Sequence, residues 1–162
     1  MESITFRATG APATKGSLTR MPNGAMLPAG TAMSRKRFTN WRDDCRSAAM
    51  DAMADNEPSR LPIRLMVEFQ LPYPISSIRK WQLGWWPHIK KPDVDKLLRA
   101  VLDALTGIVW VDDSQVCFVT MNKVYAWNGQ AGAHFIVDFL HEESMRRIGE
   151  AREHIITIME TL

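Results

Sequence analysis

Asp93 and Asp95 lie two apart in Lys91-Pro92-Asp93-Val94-Asp95, and Asp113 follows in Val111-Asp112-Asp113-Ser114-Gln115. Two carboxylates two apart project to one side of an extended chain, and a third arriving from the start of a strand can meet them. Three carboxylates at one point raise the proton affinity of at least one of them, whereas a hard divalent cation keeps all three ionised. Mg²⁺ held through a few carboxylates also retains waters for chemistry. Such a site can orient a phosphodiester, activate an attacking water and stabilise the leaving oxygen. Each acid alone has a plainer role, since Asp93 or Asp95 can cap a helix and Asp112-Asp113 is a common turn pair. It is their joint arrangement that points to a metal. Arg99 lies four residues after Asp95 on the same predicted helix face and can pair with it or hold a phosphate beside the metal; Asp103, four further on, is a partner of Arg99 or a solvated acid.

The elements that must position these residues are legible in the periodicity. Ile4, Phe6 and Ala8 alternate with Thr5, Arg7 and Thr9 in a first strand over residues 2–9. From Gly10 to Asn40 the chain is rich in Gly, Pro, Thr and Ser and holds Lys15, Arg20 and the run Arg35-Lys36-Arg37, which predicts a long basic loop of the kind that contacts ligands. Thr39 or Asn40 then caps a helix whose stripe is Trp41, Cys45, Ala48, Ala49, Ala52 and Met53. Ile63 to Leu71 alternates as a strand closed by Pro72 and Pro74. The irregular segment from Tyr73 to Lys91 interleaves Trp81, Trp85 and Trp86 with Arg79, Lys80, Lys90 and Lys91, a composition that stacks bases and neutralises phosphates, or else covers a core or a dimer interface. A helix runs from beyond Pro92 to about Thr106, ended by Gly107. Val116–Tyr125 and Ala133–Leu140 are predicted to form a hairpin through Trp127, Asn128, Gly129 and Gln130. A charged helix from Glu142 to Leu162, with Met145, Ile148, Ile155, Met159 and Leu162 on one side, closes the chain and can dock on its own domain or on a second subunit.

These elements predict an α/β fold: a single domain with one small mixed sheet of about four strands flanked by helices, the helix after Asp95 packed on it. With 162 residues the chain suits one domain, divided into a body over residues 1–140 and a helical extension over residues 141–162. Residues 1–100 carry 16 Lys and Arg against 9 Asp and Glu, and residues 101–162 carry 4 against 9, so a polyanion is expected at the first hundred residues, with Lys15, Arg20, Lys90, Lys91 and Lys96 as contacts. No apolar run approaches the roughly 20 residues that span a bilayer, and the start of the chain lacks the features of a secretory signal, which places the protein in the cytoplasm without a membrane partner. Cys45 and Cys117 are expected as buried small side chains. His88, His134, His141 and His154 have no zinc-site spacing, and His141-Glu142-Glu143 is expected as a helix start.

Taken together, Lys91-Pro92-Asp93-Val94-Asp95-Lys96-Leu97-Leu98-Arg99, then Val101-Leu102-Asp103-Ala104-Leu105, then Trp110 to Gln115, resemble the K-P-D-x-D-N-L-x-K, D-A-L and D-D-x-Q signature of the RusA family of Holliday junction resolvases, and Gly10, Pro12 and Lys15 match its early G-x-P-x-x-K pattern. The resemblance implies a homodimeric, Mg²⁺-dependent enzyme, with Mn²⁺ as a substitute, that recognises four-way DNA junctions by shape and nicks opposing strands in pairs. It implies that Asp93, Asp95 and Asp113 are the essential acids and that Asp112 is the neighbouring acid of the metal set. Arg99 stands where the family has a functional lysine; a guanidinium holds a phosphate but does not give up a proton near neutral pH. Lys96 replaces the usual asparagine. Members are often carried by phages and prophages, so the resemblance also implies a phage role in recombination inside a bacterial host. Three other readings fit the residues: a nuclease acting on other branched DNA, a non-catalytic DNA-binding module with salt-sensitive binding, and a structural dimer without DNA affinity.

Overall fold

The computed structural model describes residues 1–16, 18–20, 26–28, 31–73, 86–126 and 129–160. The elements run β1 (Ser3–Thr9), β2 (Leu18–Arg20), β3 (Met26–Pro28), α1 (Ala32–Met53), β4 (Ile63–Leu71), α2 (Val94–Leu105), β5 (Val116–Tyr125), β6 (Gly132–Phe139) and α3 (Glu142–Glu160). Four strands form one mixed sheet in the order β1-β6-β4-β5, in which only the β4–β5 pair is parallel; β2 and β3 form a separate antiparallel ribbon. The α/β architecture with a four-stranded mixed sheet is thus as predicted.

The core follows from alternation. Ile63, Leu65, Val67, Phe69 and Leu71 of β4 are all buried, joined by Ile4, Phe6 and Ala8 of β1 and by Ala133, Phe135, Val137 and Phe139 of β6. Phe6 and Phe135 stack across the β1–β6 pair with ring centroids 4.6 Å apart. The stripe Trp41, Cys45, Ala49 and Met53 of α1 recurs every four residues and is buried, and α2 buries Leu97, Ala100, Val101, Ala104 and Leu105. α1 lies against β1 and against α2, where the Arg46 guanidinium donates to the Ala104 carbonyl at 3.2 Å. Gly10, at φ +113°, fits where a side chain would strike the Asp44 carboxylate, so the chain leaves β1 pressed against α1.

Four expectations are corrected. β5 and β6 do not form a hairpin: β4 stands between them, pairing with β5 on one edge and β6 on the other. The connection after Tyr125 is long enough to step over one strand, about 10 Å across two strand spacings, and β4, being apolar and central, takes partners on both edges. The basic loop ends at Thr31, not Asn40. Thr31, in extended conformation, accepts a hydrogen bond from the Ser34 amide at 3.2 Å, and Arg35, Lys36 and Arg37 lie on the first turns of α1. Within that stretch β2 and β3 pair, so it is not wholly without strands. Cys117 is exposed on the edge strand β5, whereas Cys45 is buried. Helix α3 does begin at Glu142; Met145 is exposed and Ile148 half-buried, and the later stripe residues Ile155, Met159 and Leu162 lie outside the described side chains. No helix among the described residues is long and apolar enough to cross a membrane.

Register decides which connections share an end of the sheet. Ser3, Phe139, Ile63 and Val116 mark one end, and Thr9, Gly132, Gln70 and Tyr125 the other, through the pairs Ser3 with Asp138, Ile63 with Phe139 and Val116, Thr9 and Gln70 with Gly132, and Leu71 with Tyr125. The segments 10–31, 72–93 and 126–131 therefore all leave from the second end. Residues 54–62 and 106–115 cross the first.

Candidate functional site

Asp93 and Asp95 stand at the second end, where the chain from β4 returns into α2. Asp93 has the extended backbone of an N-cap (φ −71°, ψ 143°), yet its side chain makes no capping hydrogen bond. Its carboxylate instead accepts from Lys96 Nζ at 2.7 Å, an exposed i,i+3 ion pair. That hydrogen bond and the charge attraction behind it hold the Asp93 carboxyl below its ordinary range and the Lys96 ammonium above its own. Asp95, in the first turn, is exposed and within electrostatic reach of Lys96. Lys90 and Lys91 are exposed just ahead of them. Arg99 is exposed one turn further along and forms no side-chain bond with Asp95 or Asp103 among the described residues.

The segment leading to Asp93 is tied to β5. The Tyr125 amide donates to the Trp86 carbonyl at 2.9 Å and the His88 amide to the Lys123 carbonyl at 3.0 Å, with Pro87 opposite Val124. The Lys123 side chain then donates to the carbonyls of Lys90 and Pro92 at 2.6 and 2.7 Å, around the cis Lys91–Pro92 bond. His88 is buried with its ring against Tyr125 at 4.7 Å, and burial, then the nearby Lys123 charge, holds its imidazole below the ordinary range. Sequence reasoning passed over Lys123; a single charge in the otherwise uncharged strand Val116–Tyr125 was the available signal.

Asp112 and Asp113 stand at the first end, in a 3-10 turn over Asp113–Gln115 that opens β5. Asp112 caps it: its carboxylate accepts from the Ser114 amide at 2.9 Å, and hydrogen bonding from the Ser114 side chain, then from that amide, holds its carboxyl below the ordinary range. The Gln115 carboxamide oxygen accepts from the Asp112 amide at 2.9 Å, and its nitrogen donates to the carbonyls of Ser59 and Leu61, each at 2.9 Å. Gln115 thus fastens the turn to the chain entering β4, a role that sequence did not reveal. Asp113 is exposed, and its side chain forms no bond among the described residues. Gln115→Ala removes the donor to the Leu61 carbonyl and one of two to Ser59, which keeps the Val111 amide; we expect a loss of about 1–3 kcal/mol, measured by urea denaturation.

The three acids do not meet within one chain. Asp93 and Asp95 open α2, Asp113 lies beyond its far end, and twelve helical residues span roughly 18 Å. Among the described residues, no three His, Cys, Asp or Glu side chains stand close enough together to hold one metal ion. The expectation that Asp113 joins the pair from the start of a strand is corrected: β5 runs parallel to β4, so the α2 crossover must travel the length of the sheet before β5 begins. A single chain therefore does not fit the three-carboxylate metal site.

The connections that carry the basic residues leave the same end of the sheet as the one that carries Asp93 and Asp95. Lys15 is exposed on the segment leaving β1, Arg20 lies on β2 in the same connection, and Lys90, Lys91, Lys96 and Arg99 surround the start of α2. Gly10 lies level with Trp41 and Asp44, so the first nine residues of α1, with Arg35, Lys36 and Arg37, reach roughly 13 Å past that end of the sheet. Arg79, Lys80, Trp81 and Trp85, along with Trp127 and Asn128, lie outside the described residues.

No curated protein sequence matches this chain. The family model described as endodeoxyribonuclease RusA matches residues 17–132, more than half of the chain, and spans α1, β4, both pairs of aspartates and β5 as far as the start of β6, leaving β1 outside it. The chain belongs to the RusA family of endodeoxyribonucleases.

Proposed function

We propose that the protein is a Mg²⁺-dependent endonuclease that resolves four-way DNA junctions as a homodimer, nicking opposing strands in pairs. Within an endodeoxyribonuclease family, the observation that carries this reading is the gathering of Asp93 and Asp95 with the basic segments at one end of the sheet. A phosphate backbone drawn to Lys15, Lys90, Lys91 and Arg99 comes to rest beside exposed carboxylates. Mg²⁺ supplies charge to organise a phosphodiester and its water. The chain supplies Asp93 and Asp95 from one copy and Asp113 from a second, with Asp112 holding the turn that presents Asp113.

The need for a second copy follows from the separation of the acids, and β5 supports it. It is the edge strand, with Phe118, Val119 and Met121 exposed, and among the described residues only Trp86–His88 pair with its last three positions. Two such edges paired antiparallel about a two-fold axis set the start of one β5 beside the end of the other. That arrangement carries Asp113 of each copy toward Asp93 and Asp95 of its mate. It also matches the approximate two-fold symmetry of a four-way junction.

The test is cleavage of a labelled immobile four-way junction and of the matching linear duplex, with Mg²⁺ or Mn²⁺ and with chelator. Paired, metal-dependent nicks in the junction alone are expected. Equal cutting of flaps and forks would assign a broader branched substrate, and junction binding without cutting under any divalent ion would overturn the enzymatic reading.

One observation favours that last, non-catalytic reading: the Lys96 ammonium already sits on Asp93, where the family has an asparagine. We expect the pair to yield to metal, because exposed ion pairs are weak. Lys96→Asn should then lower the Mg²⁺ concentration for half-maximal cleavage about two- to five-fold, measured by titrating the ion at saturating junction.

A further inference from the structure

We infer that Lys123 is a positioning residue that sets Asp93 and Asp95 against the sheet, deepening the nuclease reading on which it rests. Residues 88, 90 and 92 are alternate positions of the segment that delivers Asp93, and each is bonded to Lys123. Its carbonyl accepts from the His88 amide at 3.0 Å, and its Nζ donates to the carbonyls of Lys90 and Pro92 at 2.6 and 2.7 Å. Short bonds from an ammonium to neutral carbonyls are stronger than those between neutral groups.

The geometry explains why a cation is needed there. Pro92 has no amide hydrogen and cannot join a strand ladder through its nitrogen, so at this position the segment is fastened through the carbonyls on either side. A donor with long reach and several protons suits two carbonyls flanking one peptide unit, and lysine offers both. With two of its three ammonium hydrogens spent on backbone, half-buried Lys123 is poorly placed to bind a phosphate. It differs in this from the exposed Lys90 and Lys91 beside it. Lys123 acts on the reaction through the aspartates: loosening the segment lets the start of α2 drift, and a displacement of about 1 Å at a reacting centre costs on the order of 100-fold.

The experiment compares full-length wild type, Lys123→Met and Lys123→Arg. Lys123→Met keeps the aliphatic stem and removes the donors, whereas Lys123→Arg keeps donors for both carbonyls. On the junction, Lys123→Met should lower kcat about 100-fold with KM and its salt dependence close to wild type, and Lys123→Arg should recover most of the loss. Independently of cutting, amide hydrogen exchange over residues 86–97 should quicken in Lys123→Met and return toward wild type in Lys123→Arg, while exchange in β4 and β6 stays unchanged. Should Lys123→Met not fold, Lys123→Gln, which keeps donors on a shorter, uncharged side chain, should change kcat and exchange in the same direction to a smaller extent. A rise in KM with kcat unchanged would make Lys123 a phosphate contact and overturn the inference, as would unchanged exchange over 86–97. If the wild type binds junctions without cutting, the nuclease reading fails, and the exchange measurement alone decides the role of Lys123.

Discussion

Asp95→Asn is expected to abolish junction cleavage, with a fall in kcat of about 10²–10³-fold or more, while junction binding and the thermal transition stay near wild type. Asp95 is exposed in the first turn of α2 and bears no structural hydrogen bond that the amide would break. The substitution keeps the size of the side chain and removes the negative charge, so an effect on rate without one on stability isolates the charge. Asp113→Asn should be equally inactive. Mixed with Asp95→Asn under conditions that exchange subunits, it should restore about a quarter of the wild-type sites. Half of randomly formed pairs are mixed, and each of those assembles one intact set of acids from the two chains. No recovery on mixing would place all three acids of one site in a single chain, contrary to the roughly 18 Å span of α2. Single-turnover cleavage of a junction labelled in opposing strands measures it, and a half-restored dimer should nick one strand only.

Phe135→Ala is expected to destabilise the fold by about 3–5 kcal/mol. Phe135 is fully buried on β6, stacks on Phe6 of β1 and stands opposite Val67 of β4, so its ring joins three strands. The neighbours are held by backbone ladders on both sides and collapse little into the space left behind. For a domain whose total stability is about 5–15 kcal/mol, this leaves a marginal protein and lowers the melting temperature by about 10 °C or more. Urea denaturation followed by tryptophan fluorescence checks it, since Trp41 and Trp110 are both buried. A change below about 1 kcal/mol would mean that β6 is not packed between β1 and β4 as described.

What was legible in the sequence was local. Alternation found the bounds of β4, composition and the following turn found those of β5, and the four-residue recurrence of Trp41, Cys45, Ala49 and Met53 found the buried face of α1. The type and spacing of Asp93, Asp95 and Asp113 drew notice because charge pairs at helix and strand starts are visible without a fold. Pairing between distant strands was not legible: neighbouring strands joined by a turn often form a hairpin, and nothing local to β5 or β6 announces that β4 lies between them. The same blindness put Asp113 beside Asp93, because a crossover's length counts in space and not in residue number. Gln115 and Lys123 were hidden for a different reason. Each works by reaching backbone carbonyls, and a carbonyl has no residue type to notice.

Asp113 lies at the far end of α2 from Asp93 and Asp95, so the two-copy site proposed above would make cleavage second order in this chain at low concentration. Below the dissociation constant of the pair, halving the protein quarters the rate. On that reading a few stray copies would cut little DNA and cutting would switch on steeply as synthesis rises, so the dose of the protein itself would act as the safety catch.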